Sequence, residues 1–435
     1  MANISVASNY SLNMSDFDFS TIYYGTSYVQ TGTLFRVYYS NGVIEDFRGT
    51  GLTYNAYGEP ITGTITSYAA WYSGQQLFNV QGSVAATKIV AAAQTVGTSD
   101  DLGVIIEVLK GNDTISGGNL ADVLYAFDGN DVVNGNGGND FLYGYAGNDT
   151  IIGGTGSDRI DGGAGSDTAS YATASVGITA SLIAPASNTN DAKGDTYYFI
   201  ENLLGSRFND LLVGNSGINI LTGGDGNDTL IGGAGGDKLY GGNGSDTASY
   251  ANAAAGIIAN LGMTSSNTGD ANGDSYSSIE HLIGSKYADE LYGTAGANSI
   301  SGGAGNDIIG AGWGNDLVYG GAGADRLVGG TGADRFVFKA LSESAGSTFD
   351  SIFDFMTSEQ DRLDLSSIDA STLAAGNQAF AFIGTATFTG TAGQLRYVKQ
   401  ASDTYIYGDV NGDKIADLKI HLDDAVTLTK DYFIL

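Results

Sequence analysis

The stretch GGNDFLYGYAGNDTIIGGTGSDRIDGGAGSDT, residues 137–168, repeats one pattern every nine residues. Its unit reads Gly-Gly-x-Gly-x-Asp-x-U-x, where U is apolar, as in GGTGSDRID from Gly153. A period of nine fits neither the face of a helix nor the simple alternation of a strand. Because glycine tolerates positive φ, the pattern predicts a tight six-residue loop, followed by a three-residue strand whose U side chain points inward.

The nine-residue register continues through three blocks of the chain. Its acidic position is held by Asp113, Asp122, Asp131, Asp140, Asp149, Asp158 and Asp167, then by Asp210, Asn219, Asp228, Asp237 and Asp246, and finally by Asp289, Asn298, Asp307, Asp316, Asp325 and Asp334. Two residues after each stands an apolar residue in nearly every repeat, such as Ile115, Leu212 or Phe336. We expect two units to close one turn of a flattened coil, and several turns to stack as parallel strands.

Stacking would place the carboxylates of these loops in columns, where their charges repel. A hard cation that takes six to eight oxygen ligands relieves this, using carboxylates and the carbonyls of the glycine loops. The chain has two histidines, His281 and His421, and no cysteine, so a zinc or copper cage is excluded. The pattern favours Ca²⁺ over Mg²⁺, which demands stricter geometry. The simpler alternative is a metal-free solenoid in which the glycines only form turns.

Residues 111–336 resemble the RTX, or repeats-in-toxin, proteins. The resemblance implies an all-β chain with a right-handed parallel β-roll, in which each calcium ion lies between loops 18 residues apart. Asp140 and Asp158 would share one ion with carbonyls of both loops, and so would the pairs Asp149 and Asp167, Asp228 and Asp246, Asp307 and Asp325, and Asp316 and Asp334. The further ligands implied are Asn136, Gly138, Gly144, Gly147, Gly153, Thr155, Gly162, Ala164, Gly224, Gly226, Gly241, Asn243, Gly303, Gly305, Gly312, Gly314, Gly320, Ala322, Gly329 and Thr331, with Asp113, Asp122, Asp131 and Asp237 as additional carboxylates. The motif departs at Leu120, Ala126 and Phe127, and at Asn219 and Asn298, which predicts weak or absent calcium there.

A longer repeat of 79 residues lies over the nonapeptides. SDTASYATASVGITASL from Ser166 returns as SDTASYANAAAGIIANL from Ser245, and GDTYYFIENLLG from Gly194 returns as GDSYSSIEHLIG from Gly273. These segments define two inserts, residues 168–209 and 247–288, within a roll predicted to span residues 108–337. We expect each insert to be a lateral excursion or cap with two or three short strands.

Residues 1–107 form a different, β-rich region. Alternating runs such as LFRVYY (34–39), GVIEDF and GTITSYAAWY predict antiparallel strands, with turns at SNG (40–42) and YGEP (57–60). The Ala- and Val-rich segment 84–109 is predicted to hold one or two short helices.

Residues 338–435 resemble the C-terminal module of serralysin-type metalloproteases, through GTGADRFVF, DSIFDF, DRLDLSSID, AFAFIG and the end DYFIL. In that family the module carries an uncleaved type I secretion signal, so the resemblance implies export through a one-step exporter. DVNGDKIAD places Asp409, Asn411, Asp413 and Asp417 at the 1-3-5-9 spacing of an EF-hand-like loop, but Ile420 stands where the loop needs Glu. Either a calcium loop or a hairpin turn fits this segment.

The net charge of −30 argues against nucleic acid and anionic membranes as partners, and favours cations. The N-terminus shows no basic and apolar pattern of a cleavable signal peptide, and no apolar run is long enough to span a membrane. The resemblance therefore predicts an extracellular protein, against the cytoplasmic location that composition alone suggests.

No catalytic motif is found in the sequence. His-Glu-x-x-His, Gly-x-Ser-x-Gly and a cysteine nucleophile are all missing, so no catalytic residue is predicted. We therefore expect a non-catalytic surface-layer, matrix or adhesive component, whose N-terminal domain binds another copy of itself or a cell-surface glycan. The alternatives are a secreted hydrolase with an unrecognised carboxylate site and a soluble calcium-binding effector.

Overall fold

The computed structural model describes residues 1–95 and 97–435. Val96, which falls in the segment predicted to be helical, lies outside the described residues. The chain forms two compact units, residues 1–212 and 213–435, and each is described by itself.

The first unit is built mostly from strands. These are β1 Asn3–Val6, β2 Ser27–Thr31, β3 Leu34–Tyr38, β4 Val43–Tyr54, β5 Pro60–Tyr72, β6 Gln75–Ala85, β7 Thr114–Ser116, β8 Val123–Tyr125, β9 Val132–Asn134, β10 Phe141–Ala146, β11 Thr150–Ile152, β12 Arg159–Ala164, β13 Thr168–Ser170, β14 Thr179–Ser181, β15 Thr196–Tyr198 and β16 Asn202–Leu204. The helices are α1 Ala86–Ala93 and α2 Thr98–Val108, with 3₁₀ turns at Met14–Asp16, Phe19–Tyr24, Pro185–Ser187 and Asn190–Ala192.

The N-terminal region is an antiparallel sheet in the order β2-β3-β4-β5-β6-β1. One face of this sheet buries an aromatic cluster in which the rings of Phe47 and Tyr68 stack with centroids 4.6 Å apart. Helix α1 adds buried Ile89 to the same core. The predicted strands, the turns at 40–42 and 57–60, and the two short helices are all confirmed.

Strand β1 belongs to both the N-terminal sheet and the roll. It pairs antiparallel with β6 (Asn3↔Gln81) and parallel with β7 (Asn3↔Thr114). The N–H of Ala2 also donates to Asp113 Oδ1. The first residues of the chain therefore complete the first turn of the roll, and the division at residue 107 stays a prediction.

The roll of the first unit consists of two parallel sheets, β7-β9-β11-β13-β16 and β8-β10-β12-β15. Adjacent strands pair residues one full turn apart, as in Leu142↔Ile160 and Val133↔Ile151. The side chains of Ile115, Leu124, Val133, Leu142, Ile151 and Ile160 are all 0% exposed. Each such burial contributes roughly 2 kcal/mol, so the U positions form the core, as the nonapeptide pattern predicts.

The second unit continues with the same kind of strand. Strand β17 Leu211–Val213 contains the division, followed by β18 Ile220–Asp225, β19 Thr229–Ile231, β20 Lys238–Asn243, β21 Thr247–Ser249, β22 Ile258–Asn260, β23 Ser275–Ser277, β24 His281–Ile283, β25 Glu290–Tyr292, β26 Ser299–Ala304, β27 Ile308–Trp313, β28 Leu317–Ala322, β29 Arg326–Thr331, β30 Arg335–Val337, β31 Ser351–Ile352, β32 Arg362–Asp364, β33 Ala381–Phe382, β34 Gln394–Lys399, β35 Thr404–Asp409, β36 Leu418–Leu422 and β37 Phe433–Ile434. Its 3₁₀ turns are Thr264–Ser266, Gly269–Ala271, Leu341–Glu343 and Lys430–Tyr432.

Parallel pairing in the second unit runs β19-β21-β24-β26-β28-β30-β32-β37 in one sheet and β22-β25-β27-β29-β31-β36 in another. Beyond β36 the second of these sheets continues as an antiparallel meander, β36-β35-β34. The C-terminal strands expected from the sequence are all present. The protein is therefore an all-β chain built on a parallel β-roll.

The inserts differ from the expected lateral excursion. In the first insert β15 pairs in parallel with β12, and β16 with β13; in the second, β23 pairs with β20, and β24 with β21. Most insert strands therefore take places in the stack itself. Their strand-length hydrogen-bonding groups are satisfied most simply by the exposed edge of the preceding turn.

Candidate metal centre

The acidic positions of the roll are joined from turn to turn by a backbone hydrogen bond. The N–H of Asp140 donates to Asp158 Oδ1 at 2.8 Å, across 18 residues of sequence. The pairs Asp149 and Asp167, Asp228 and Asp246, Asp307 and Asp325, and Asp316 and Asp334 repeat this bond at 2.8 to 2.9 Å. The structure thus brings together every pair of aspartates that was predicted to share an ion.

The second carboxylate oxygen behaves differently. In the described part of the chain, Oδ2 is buried and accepts no hydrogen bond at Asp113, Asp131, Asp140, Asp149, Asp158, Asp167, Asp237, Asp246, Asp307, Asp316, Asp325 and Asp334. Leaving a buried polar atom without a partner costs about 1–3 kcal/mol, and more when it is charged. A regular series of such atoms indicates a ligand that the protein atoms alone do not supply.

Backbone conformation distinguishes the loops that carry these oxygens. We call a loop open when its second and fourth residues both have positive φ, as at Gly154 (92°) and Gly156 (146°) before Asp158. The open loops are those ending at Asp131, Asp140, Asp149, Asp158, Asp167, Asp228, Asp237, Asp246, Asp307, Asp316, Asp325 and Asp334. In most of them the positive φ falls on glycine, but Phe127, Asn136 and Tyr145 also adopt it.

Other loops are closed, meaning that an oxygen of the last side chain accepts the N–H of the loop's second residue. Gly118 N–H donates to Asp122 Oδ2 at 2.7 Å, and Asn215 N–H donates to Asn219 Oδ1 at 2.7 Å. The loops ending at Asp210, Asp289 and Asn298 do the same. The oxygen that an ion would need is already used there, at the departures Leu120, Asn219 and Asn298. The loop with Ala126 and Phe127 is open nevertheless.

Backbone carbonyls complete an oxygen-lined space in the open loops. A Cβ on Gly135 would collide with Asp140 Oδ2 and would lie 2.6 Å from the Gly153 carbonyl oxygen. Gly144, beside Asp149 and the carbonyl of Gly162, shows the same arrangement. The first glycine of each loop therefore keeps free a space that a carboxylate and a carbonyl of the next turn both border. Oxygen donors alone, from carboxylates and carbonyls, are the set that Ca²⁺ prefers.

The other predicted carbonyl ligands are partly engaged with the next turn. The carbonyls of Thr155, Ala164, Asn243, Ala322 and Thr331 accept the N–H of the fourth loop residue of the turn before, at 2.8 to 3.0 Å. Each carbonyl oxygen has a second lone pair, so these bonds leave one acceptor site. The carbonyls of Gly138, Gly147, Gly226, Gly305 and Gly314 approach the fourth glycine of the following loop, where a Cβ would collide.

Burial raises the pKa of the open-loop aspartates, and the neighbouring carboxylates raise it further. The pKa of Asp140 is raised to about 7, by burial first and then by the charges of Asp158, Asp122 and Asp195. Burial likewise raises the pKa of Asp131, Asp237 and Asp307 to about 7, and of Asp158, Asp167, Asp316 and Asp325 to about 6. Without a cation, the column is thus held in a costly charge state at neutral pH.

At the inserts the column continues with residues that we did not predict. Asp158 N–H donates to Asp195 Oδ1, and Asp237 N–H donates to Asp274 Oδ1, at 2.9 and 2.7 Å. Glu201 and Glu280 accept from Asp167 and Asp246 in the same way. The sequence signal was present, because Asp195 and Glu201 lie in the segment that recurs 79 residues later. Their distance from the nonapeptide register concealed it.

A tyrosine occupies the second oxygen at each insert junction. Tyr171 O–H donates to Asp195 Oδ2 at 2.8 Å and contacts the hydroxyl of Tyr197 at 2.5 Å, while Asn188 Nδ2 donates to Tyr197. Tyr250, Asp274, Tyr276 and Asn267 repeat this network in the second unit. We call these two networks the tyrosine stops. They supply a hydrogen bond where an open loop has an unpartnered oxygen.

Two more carboxylates extend the column into the C-terminal module. Asp350 Oδ1 accepts from Asp325, and Asp361 Oδ1 accepts from Asp334, both at 2.9 Å. Asparagines at the fifth loop position form a second ladder, in which Asn130 Oδ1 accepts from Asn148 and Asn148 Oδ1 accepts from Ser166. Neither feature was predicted from the sequence.

The Asp409–Asp417 segment is the connection between β35 and β36. Asp409 accepts from the N–H groups of Gly412 and Lys414, and Asp417 Oδ2 accepts from Val410. These bonds are those of a hairpin turn. A calcium site there stays a prediction.

One mixed cluster in the described residues brings Asp403, His421 and Asp423 together, with ligand atoms within 4.8 Å of one another. His421 Nε2 lies 3.0 Å from Asp403 Oδ1, and its Nδ1 lies 3.0 Å from Ser351 Oγ. The other histidine, His281, contacts Ser245 Oγ at 2.6 Å. Each histidine thus has a local hydrogen-bond partner.

Comparison with known families agrees with this geometry. Residues 109–142, 135–169 and 213–248 match the RTX calcium-binding nonapeptide repeat, and residues 292–434 match the peptidase M10 serralysin C-terminal domain. The protein therefore carries calcium-binding RTX repeats followed by a serralysin-type C-terminal module. Such domains are typical of secreted proteins. Neither match assigns a catalytic residue to the chain.

Solved structures similar to the chain include two subunits of the mannuronan C5-epimerase from Azotobacter vinelandii. The AlgE6R2 subunit has 32% sequence identity over 35% of this chain and 91% of its own, with a TM-score of 0.28. The AlgE6R3 subunit has 31% identity over 34% of this chain and 78% of its own, with a TM-score of 0.26. No curated protein matches the chain significantly. None of the helices in the described ranges combines the length and apolar character needed to cross a bilayer.

Proposed function

We propose that this chain is a secreted surface-layer, matrix or adhesive component that folds when it meets extracellular calcium. The observation that carries the proposal is the series of buried Oδ2 atoms without protein partners in the open loops. Each belongs to a carboxylate whose other oxygen already accepts a backbone N–H. The free oxygen is therefore oriented by the fold and available to a cation.

The calcium ions are assigned to consecutive open loops. Asp140 and Asp158 hold one ion with carbonyls of their loops, and the pairs starting at Asp149, Asp228, Asp307 and Asp316 hold others. The tyrosine stops interrupt this series at Asp195 and Asp274. The closed loops, including the one that ends at Asp122, take no ion.

Binding and folding are coupled in this proposal. Without calcium, the buried carboxylates repel one another, and the free energy of folding falls accordingly. Low calcium inside the cell keeps the roll unfolded for a type I exporter, and millimolar calcium outside folds it. The serralysin-type module at residues 292–434 supports export, because such modules accompany secreted proteins.

The structural role rests on the N-terminal sheet. Residues 1–95 carry three basic residues (Arg36, Arg48, Lys88) and five acidic ones (Asp16, Asp18, Glu45, Asp46, Glu59), although the whole chain has a charge of −30. A nearly neutral surface favours association, whereas the strongly acidic remainder repels other copies. The N-terminal region is thus the part of the chain suited to attachment.

Circular dichroism of the full chain tests the calcium proposal. We expect excess chelator to remove most of the β signal, millimolar Ca²⁺ to restore it, and equal Mg²⁺ to leave it low. An unchanged spectrum in chelator would contradict calcium-coupled folding. Light scattering with calcium then tests the structural role, where a monomer at high concentration counts against it.

A further inference from the structure

Strand β2, Ser27–Thr31, is the free edge of the N-terminal sheet. Among the described residues it pairs with β3 alone, in a register centred on Val29↔Arg36. All five of its residues are exposed, and Tyr28 and Val29 are 40% and 38% exposed. Alternate residues of an edge strand direct their N–H and C=O groups outward, so β2 presents an unpaired ladder to solvent.

This edge lacks the features that usually prevent edge-to-edge pairing. Its sequence, SYVQT, contains no Lys, no Pro and no charged residue. The register of β2 against β3 is uninterrupted, without a bulge. Natural proteins protect long exposed edges with charges, prolines or bulges, so an unprotected edge marks a site of strand addition.

Charge favours a second copy of this chain at the edge over an unrelated acidic or basic partner. A strand without charge offers nothing to select an ionic partner. Sheet order places β2 at the opposite end of the first unit's sheet from the strands that carry the aspartate columns. Two copies that meet at β2 therefore keep their strongly acidic rolls far apart.

We propose that two copies of the chain pair antiparallel through β2, with a two-fold axis at Val29, which rests on the proposed structural function. In this register the two Val29 side chains face each other, and Tyr28 faces Gln30 of the second copy. Ser27 then faces Thr31. No like charges meet, and each pair is of a kind that stabilises adjacent strands.

A charge swap at the axis is the sharpest test. Wild type in millimolar calcium should sediment with a mass that rises to twice the monomer mass as concentration increases. Val29→Asp and Val29→Lys should each weaken dimerisation at least tenfold, because two like charges face each other. An equimolar mixture of the two variants should regain the dimer mass. Circular dichroism identical to wild type would show that both variants fold.

Cysteine crosslinking checks the register independently, because the chain has no cysteine. Val29→Cys should form a disulfide-linked dimer under mild oxidation. The matched control is Thr66→Cys, an exposed residue on β5, a strand with a partner on each side. It should remain monomeric on a denaturing gel.

The outcomes separate this inference from the function on which it rests. A wild-type dimer that persists in both charge variants, or equal crosslinking at both cysteines, would overturn pairing through β2 while leaving assembly intact. A calcium-folded wild type that stays monomeric would overturn both the pairing and the structural role, but not calcium-coupled folding.

Discussion

An open loop and an insert junction solve the same electrostatic problem in two ways. At Asp140 the fold buries a carboxylate with one oxygen bonded and one unpartnered. At Asp195 the first oxygen makes the same bond, but the hydroxyl of Tyr171 satisfies the second. The open loop depends on something from outside the chain, and the junction does not. The roll thus alternates between cation-dependent segments and self-sufficient ones.

Glycine conformation gives the largest expected contrast between loop types. Gly156, the fourth residue of an open loop, has a φ of 146°, and a Cβ there would collide with the Gly138 carbonyl. Gly156→Ala should lower the free energy of unfolding in calcium by about 3 kcal/mol, from strain and overpacking. Gly296→Ala, at the same position of a closed loop, meets only Thr294 Oγ1 at 3.8 Å and should change it by less than about 0.5 kcal/mol. Chemical denaturation measures both, and equal losses would remove the distinction.

Tyr171→Phe tests the tyrosine stop directly. It leaves Asp195 Oδ2 buried without its donor, so we expect a loss of about 2 kcal/mol in unfolding free energy at saturating calcium. Tyr240→Phe, where the ring is 41% exposed, serves as the control and should be neutral. Thermal unfolding would compare the two. A neutral Tyr171→Phe would mean that the hydroxyl does not stabilise the junction.

Matched amide substitutions distinguish the two kinds of carboxylate. Asp140→Asn should lower the number of bound calcium ions by about one and raise the calcium midpoint of folding about tenfold, because a charged ligand is lost. Asp195→Asn keeps an acceptor for the Asp158 N–H and should leave the calcium number unchanged. Isothermal titration and equilibrium dialysis count the ions. Equal losses from both variants would show that the stop also binds calcium.

The pH dependence should change sign with calcium. Because burial raises the folded-state pKa of Asp131 and Asp140 to about 7, above the ordinary value, the ion-free fold binds more protons than the unfolded chain. In chelator, its stability should therefore be greatest below about pH 4 and fall as pH rises through about 7. In calcium, acid should instead weaken folding, since protons compete with the ion. Circular dichroism at pH 5 and 8, with and without calcium, would reveal the reversal or its absence.

Much of the fold could be predicted because the nonapeptide fixes local geometry and burial together. The U positions such as Leu142 and the 18-residue pairing followed from spacing alone. The status of individual loops did not, since Phe127 adopts positive φ in an open loop while Gly217 and Gly296 sit in closed ones. Loop conformation depends there on contacts with the neighbouring turn, which single-chain spacing does not encode.

The insert junctions were missed for a related physical reason. Asp195 reaches its place in the column through a 37-residue connection, so no fixed period points to it. Tyr171 and Tyr197 come together with it only in three dimensions. The exact recurrence of these residues 79 positions later was the available signal, and it marked a structural requirement before its nature was visible.

The strand shared between the two sheets has a mechanical consequence. Covalently, the N-terminal sheet reaches the roll through α1 and α2, but β1 also joins β6 to β7 by hydrogen bonds along its length. Tension applied across a pair of parallel strands along their axes loads all their hydrogen bonds at once. A pull on the N-terminal sheet would thus reach the calcium-bound coil through a shear contact, so that stiffness, and not only attachment, would be set by the calcium outside the cell.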